Sequence, residues 1–192
     1  MIRPPLTHAL IALCIAGGLT ACDITSARTL WALRNVDPLT TAPEGIRLAV
    51  RVPQGFRPSP KGITLIGTLK ETASAPEESV TFAIQRSEGG ALPAWMQRPG
   101  APLYSYKISE SDLDRFRKYQ HKAALAKASN RDGSISVGTE VCRLSDEIPD
   151  SVLVSVFIKT VETEQFVPLF EDQDLTEHAT EEEIAETVPL CL

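Results

Sequence analysis

The sequence predicts a mainly β fold, an antiparallel β-sandwich carrying one inserted α-helix. Three observations lead there. Apolar residues recur at every second position in several short runs, Pro- and Gly-containing turn signals separate those runs, and residues 109–129 alone form a long stretch without Gly or Pro. Nothing in the chain repeats a strand–helix–strand rhythm, so a parallel sheet is not expected. The alternative is an α+β fold with the helix packed on an antiparallel sheet. At 192 residues with 43% apolar and 23% charged side chains, the chain has an ordinary globular composition and a length for one domain.

The elements follow in order. Residues 29–36 alternate weakly and predict a first strand that sends Trp31 into the core. Ile46, Leu48, Val50 and Val52 place branched apolar groups on one face, with Arg47, Ala49 and Arg51 on the other, as in a half-buried strand. The same period runs through Val80, Phe82 and Ile84 and through Ile135, Val137, Thr139 and Val141, and more weakly, as in residues 29–36, through residues 63–69 and 103–108. Residues 152–158 are apolar on both faces and predict a central strand covered on each side. Residues 166–170 make a short last strand, which Pro168 assigns to an edge. Turns are expected at Pro43-Glu44-Gly45, Pro53-Gln54-Gly55, Pro58-Ser59-Pro60-Lys61-Gly62 and Asn130-Arg131-Asp132-Gly133, and a loop at residues 71–79. In the helical segment, Ser109 with Asp112 has the form of a capping box, Leu113, Phe116, Gln120, Ala123 and Ala124 share one face, and Lys127 stands in the last turn. A shorter helix over residues 180–187 opens on Thr180 and Glu183 and stops before Pro189. In general architecture this strand count resembles immunoglobulin-like modules, although their Cys…Trp…Cys pattern is absent.

The amino terminus carries a different message. One cation, Arg3, precedes an apolar run over residues 6–19 that is too short to cross a bilayer as a stable helix and has the form of an export signal. Leu19-Thr20-Ala21-Cys22, directly after that run, resembles the lipobox of bacterial lipoproteins. The resemblance implies cleavage between Ala21 and Cys22, removal of residues 1–21, acylation of Cys22 on sulfur and usually on its new amino group, and a periplasm-facing, lipid-anchored protein. The plainer alternative is an ordinary signal peptide that leaves Cys22 as a thiol. Asp23 resembles the inner-membrane retention signal of enteric lipoproteins. One acyl chain binds membranes marginally and a second makes the anchor stable. The tether, residues 22–28, spans at most about 20 Å, so a domain over residues 29–192 stays close to the bilayer.

Of four cysteines, Cys14 leaves with the leader and Cys22 carries the lipid, so Cys142 and Cys191 remain as the disulfide candidate. Two buried thiols, or a reactive Cys142, are the alternatives. No catalytic set is visible: the histidines are His8 in the leader, His121 on the predicted helix and His178 in an acidic stretch, and no Gly-x-Ser-x-Gly, His-Glu-x-x-His or phosphate-binding loop occurs. No cofactor is implied. Asn130-Arg131-Asp132-Gly133-Ser134 echoes the start of a calcium loop, but the twelfth position is Val141 rather than an acid. Glu171, Asp172 and Asp174 have the chemistry to gather a hard cation and read more simply as a solvated loop, so no metal site is assigned.

The formal charge of −6 argues against a nucleic-acid partner. From Thr160 onward there are ten acids and no Lys or Arg, so the acidic segment 171–192 is expected to face away from anionic lipid, with Arg34, Arg47, Arg51 and Arg57 nearer it. Trp95, within Leu92-Pro93-Ala94-Trp95-Met96, and Tyr104 and Tyr106 are the partner-binding candidates, because large amphipathic rings anchor interfaces. The expectation is a membrane-tethered, non-catalytic interaction or structural module that meets another envelope protein. The alternatives are a carboxylate-based hydrolase of envelope polymers and a small-ligand or metal-binding module.

Overall fold

A computed structural model describes residues 27–70, 77–88, 92–129, 133–177 and 180–191. The leader, Cys22, Asp23, His178 and most of the Asn130–Gly133 turn lie outside them. The chain forms α1 (Ala27–Leu33), β1 (Arg47–Arg51), β2 (Phe56–Lys70), β3 (Glu77–Phe82), β4 (Ile84–Arg86), β5 (Leu103–Ile108), α2 (Leu113–Ala128), β6 (Gly133–Arg143), β7 (Leu153–Lys159), β8 (Val167–Asp174) and α3 (Glu181–Thr187). The fold is mostly β, with two antiparallel sheets of order β4-β5-β1-β7-β8 and β3-β2-β6.

The alternation in β1 pays off as the centre of the larger sheet. Leu48 and Val50 turn inward with Val154 and Val156 of β7 and meet Phe56, Ile63 and Val141 of the smaller sheet in one buried cluster. β7 lies between β1 and β8 with four consecutive buried residues, Val154 to Phe157, as an element covered on both faces requires. β8 is one of the two edge strands of that sheet, which accommodates Pro168.

The inward face of the three-stranded sheet is shared. Ile63 at one end packs on the larger sheet, while Leu65, Leu69 and Phe82 further along pack on Phe116, Tyr119, Ala123 and Ala126 of α2. Each such buried phenylalanine contributes about 1.5–3 kcal/mol. Tyr119 lies flat against Gly67, where an added Cβ would stand 2.5 Å from its ring, and its hydroxyl sits 2.7 and 2.8 Å from the carbonyls of Thr68 and Ser134. Glycine in mid-strand is therefore set by the approach of that ring.

Several expectations are corrected. Residues 29–36 form α1 rather than a strand, and Trp31 is 68% exposed instead of buried. Only one residue of that segment, Thr29, is buried, and its hydroxyl donates to the Pro168 carbonyl, so the weak alternation had no sheet to join. Pro58 to Gly62 do not turn the chain back; they form a bulge inside the long strand β2, with Lys61 at φ 63°. Val80, Phe82 and Ile84 belong to two strands, because the chain changes sheets at Ala83. That crossing is held by the Asp112 carboxylate, which accepts from the Ala83 N–H at 2.6 Å and from Arg115 at 3.1 Å. Asp112 is thereby diverted from a capping box, and Ser109 bonds Ser111 instead of a helix N–H. On α2, Phe116, Gln120 and Ala123 are buried as expected, whereas Ala124 is exposed and Tyr119 takes its place.

The carboxyl terminus behaves as its sequence indicates. Thr180 and Glu183 form the capping box of α3, and Ile184 and Val188 enter the main core. Cys142 and Cys191 stand at disulfide distance, Cα atoms 5.0 Å apart. The buried Arg143 adds a second clamp by donating to the Ala185 and Val188 carbonyls at the end of α3, where a cation also suits the helix dipole.

Candidate functional site: an aromatic cleft beside α1

The face of the larger sheet turned away from the core is not bare. Ala49 and Phe157 are covered there by Met96 and half-buried Leu92, Leu103 and Phe166. The loop carrying Met96 also carries Trp95, which is 50% exposed and makes a T-shaped contact with Phe157 at 5.7 Å between centroids. α1 packs on the edge strand β8 and brings Trp31 to the same side. Between them opens a cleft of about 640 Å³, walled by Trp31, Trp95, Phe166 and Pro168, with Arg28, Gln165 and Glu162 supplying polar groups. Two exposed indoles beside these polar groups form a surface that can pack on and hydrogen-bond a partner.

The floor is braced by charge. Arg51, 2% exposed, donates to the Met96 carbonyl at 2.7 Å, to Asp172 at 2.9 Å and to Glu171 at 3.3 Å. Arg98 closes the set from the surface at 2.7 Å from Asp172. The two acids reach this position because β8 bulges opposite Ser155: Asp172 adopts φ 53°, and its N–H donates to the Ser155 hydroxyl. Two expectations change here. Arg51 is a buried brace rather than a surface cation, and Glu171 and Asp172 are strand residues paired with guanidinium groups rather than members of a solvated loop. Among the described residues no group of three His, Cys, Asp or Glu is placed to hold a metal ion.

Asp174, at the end of the same strand, is also tied down. Burial pushes its carboxyl up, but donors from Ser151, from the Thr176 hydroxyl and N–H and from the Val152 N–H together hold it well below the ordinary aspartate value of 3.8. A depressed folded-state pKa stabilises above the unfolded value and is lost as pH falls through the folded one. We expect unfolding midpoints in urea to fall as pH drops below about 4, and to fall less steeply in Asp174→Asn; equal slopes would contradict this.

Of the predicted partner-binding residues, the structure separates one from two. Tyr104 and Tyr106 pair across β1 with Val50 and Leu48 and pack half-buried on the inner core, on the other side of the sheet from Trp95. Burial raises the Tyr106 hydroxyl to about 12, so it stays neutral. Trp31, by contrast, joins Trp95, and no periodicity marked it, since its exposure depends on how α1 docks. His121 is exposed on α2, which packs on the inner side of the sheets, away from the cleft. Glu162 accepts from the hydroxyls of Thr41 and Thr160, which hold its carboxyl below the usual range.

Fold and cleft together define a two-sheet β protein with an aromatic-walled surface site. No protein-family model, curated protein or solved structure matches the chain.

Proposed function

We propose that this is a membrane-anchored periplasmic lipoprotein whose folded part is a non-catalytic interaction module, with the cleft between Trp31 and Trp95 as its docking site for another envelope protein. The observation that carries the reading is the pairing of Leu19-Thr20-Ala21-Cys22 with an open aromatic cleft whose first wall, α1, starts only five positions after Cys22. The competing reading, a carboxylate-based hydrolase, needs one carboxyl kept protonated to act as acid. In this cleft Glu162 is drawn to the ionised form by its hydroxyl donors. No described helix is long and apolar enough to cross a membrane, so attachment in this reading rests on the lipid.

Fractionation of cells expressing the full chain tests the anchor. The wild-type protein is expected in the membrane pellet with the mass of an acylated Cys22, and Cys22→Ser in the supernatant without that gain. Unchanged membrane association of Cys22→Ser, with no acyl mass on the wild type, would overturn it.

A further inference from the structure

We infer that the outward stripe of α1 lies on the surface of an anionic phospholipid bilayer and so fixes the orientation of the domain; the inference rests on the acylation of Cys22 proposed above. Ala27, Leu30 and Trp31 follow the spacing i, i+3, i+4 and share one side of the helix, and Arg34 stands in the turn directly after it. The opposite side carries the buried Thr29, bonded to β8. Leu30 and Trp31, at 60% and 68%, are the two most exposed large apolar side chains among the described residues, and they are neighbours. The helix thus turns its one buried side chain to the protein and two large apolar groups outward.

Three observations point to lipid as their cover. Ala27 follows Cys22 by five positions, so fully extended chain lets α1 stand at most about 17 Å from the acylated residue. α1 and the turn after it carry Arg28 and Arg34 and no acid, with Asp23 and Asp37 beyond them on either side, and each cation near an anionic surface adds about 1 kcal/mol. The Arg34 guanidinium lies 3.8 Å from the Trp31 ring centre, so cation and indole present themselves together, and indoles favour the headgroup layer. Seven residues would bind weakly alone, but the lipid anchor makes the contact intramolecular. The acid-rich α3 enters the core from the inner side of the larger sheet, whereas α1 sits on its edge strand beside the outer cleft. Leu30 then faces lipid alone, while Trp31 stands at the boundary, one part of its ring toward lipid and the other lining the cleft, which opens along the headgroup layer and favours a partner that is itself at the membrane.

The chain has two tryptophans, which allows each to be read separately. Full-length protein, processed in cells and reconstituted into phosphatidylethanolamine–phosphatidylglycerol vesicles, is compared with and without phospholipid brominated on the upper acyl carbons. In Trp95→Phe the remaining Trp31 emission is expected to be quenched at least about twofold more strongly than that of Trp95 in Trp31→Phe, as for a ring buried about 5–10 Å into the interface. Acyl mass and flotation with the vesicles, together with equal or absent quenching of Trp31, would overturn the bilayer contact while leaving the anchor intact. Absence of acyl mass and of flotation would overturn the anchor and this inference with it.

Discussion

Arg51→Met should unfold at clearly lower denaturant than the wild type, with a loss of about 3 kcal/mol. The methionine keeps the packing of the aliphatic stem but removes the guanidinium that serves the Met96 carbonyl, Ser155, Asp172 and Glu171 at once. Breaking a buried pair by deleting one partner costs about 3–5 kcal/mol, because the other charge is left without compensation. The lower end applies, since Asp172 and Glu171 are 29% and 37% exposed and Arg98 still reaches both. The cause can be isolated: adding Asp172→Asn to Arg51→Met should cost less than the sum of the two single changes, as coupled neighbours do. A loss under about 1 kcal/mol in Arg51→Met would show that the outer layer does not depend on this charge set.

Removal of the Cys142–Cys191 link is the second large effect. The two cysteines are 49 positions apart, and a crosslink closing such a loop contributes about 4 kcal/mol in the chain-entropy account. The account also locates the damage. Without the link, the terminal segment keeps Arg143 and the buried Ile184 and Val188, so Cys191→Ser should lower the midpoint of unfolding while leaving the sheets in place. Intact mass with and without a thiol label checks that the wild type is bridged after export. Free thiols in both residues, or an unchanged midpoint in Cys191→Ser, would contradict it.

The strands were legible wherever one face is buried against a neighbour, because burial imposes period two. β1, β5 and β6 were readable for that reason, β7 by its apolar run on both faces, and the α3 cap because Thr180 and Glu183 satisfy each other locally. What escaped has a common cause in contacts remote in sequence. The change of sheets at Ala83 depends on Asp112, α1 on its bond to Pro168, and the burial of Arg51 on acids 120 and 121 positions away that reach it through a bulge. An arginine alternating with apolar residues reads as a solvent-facing position unless those partners are known. The same limit applied to the candidate site. Trp95 was legible as an aromatic among turn residues, but its companion is Trp31 from the far end of the chain, not Tyr104 or Tyr106, whose register on β5 turns them into the core.

The central claim, a docking site in the aromatic cleft of a membrane-held protein, is tested most directly by crosslinking in intact cells. A photoreactive side chain in place of Trp95 is compared with one in place of Lys118, exposed on α2. The account predicts one defined protein adduct from position 95, absent from position 118 and lost when Trp31 is also changed to Ala. No adduct from position 95, or the same adducts from both positions, would contradict it.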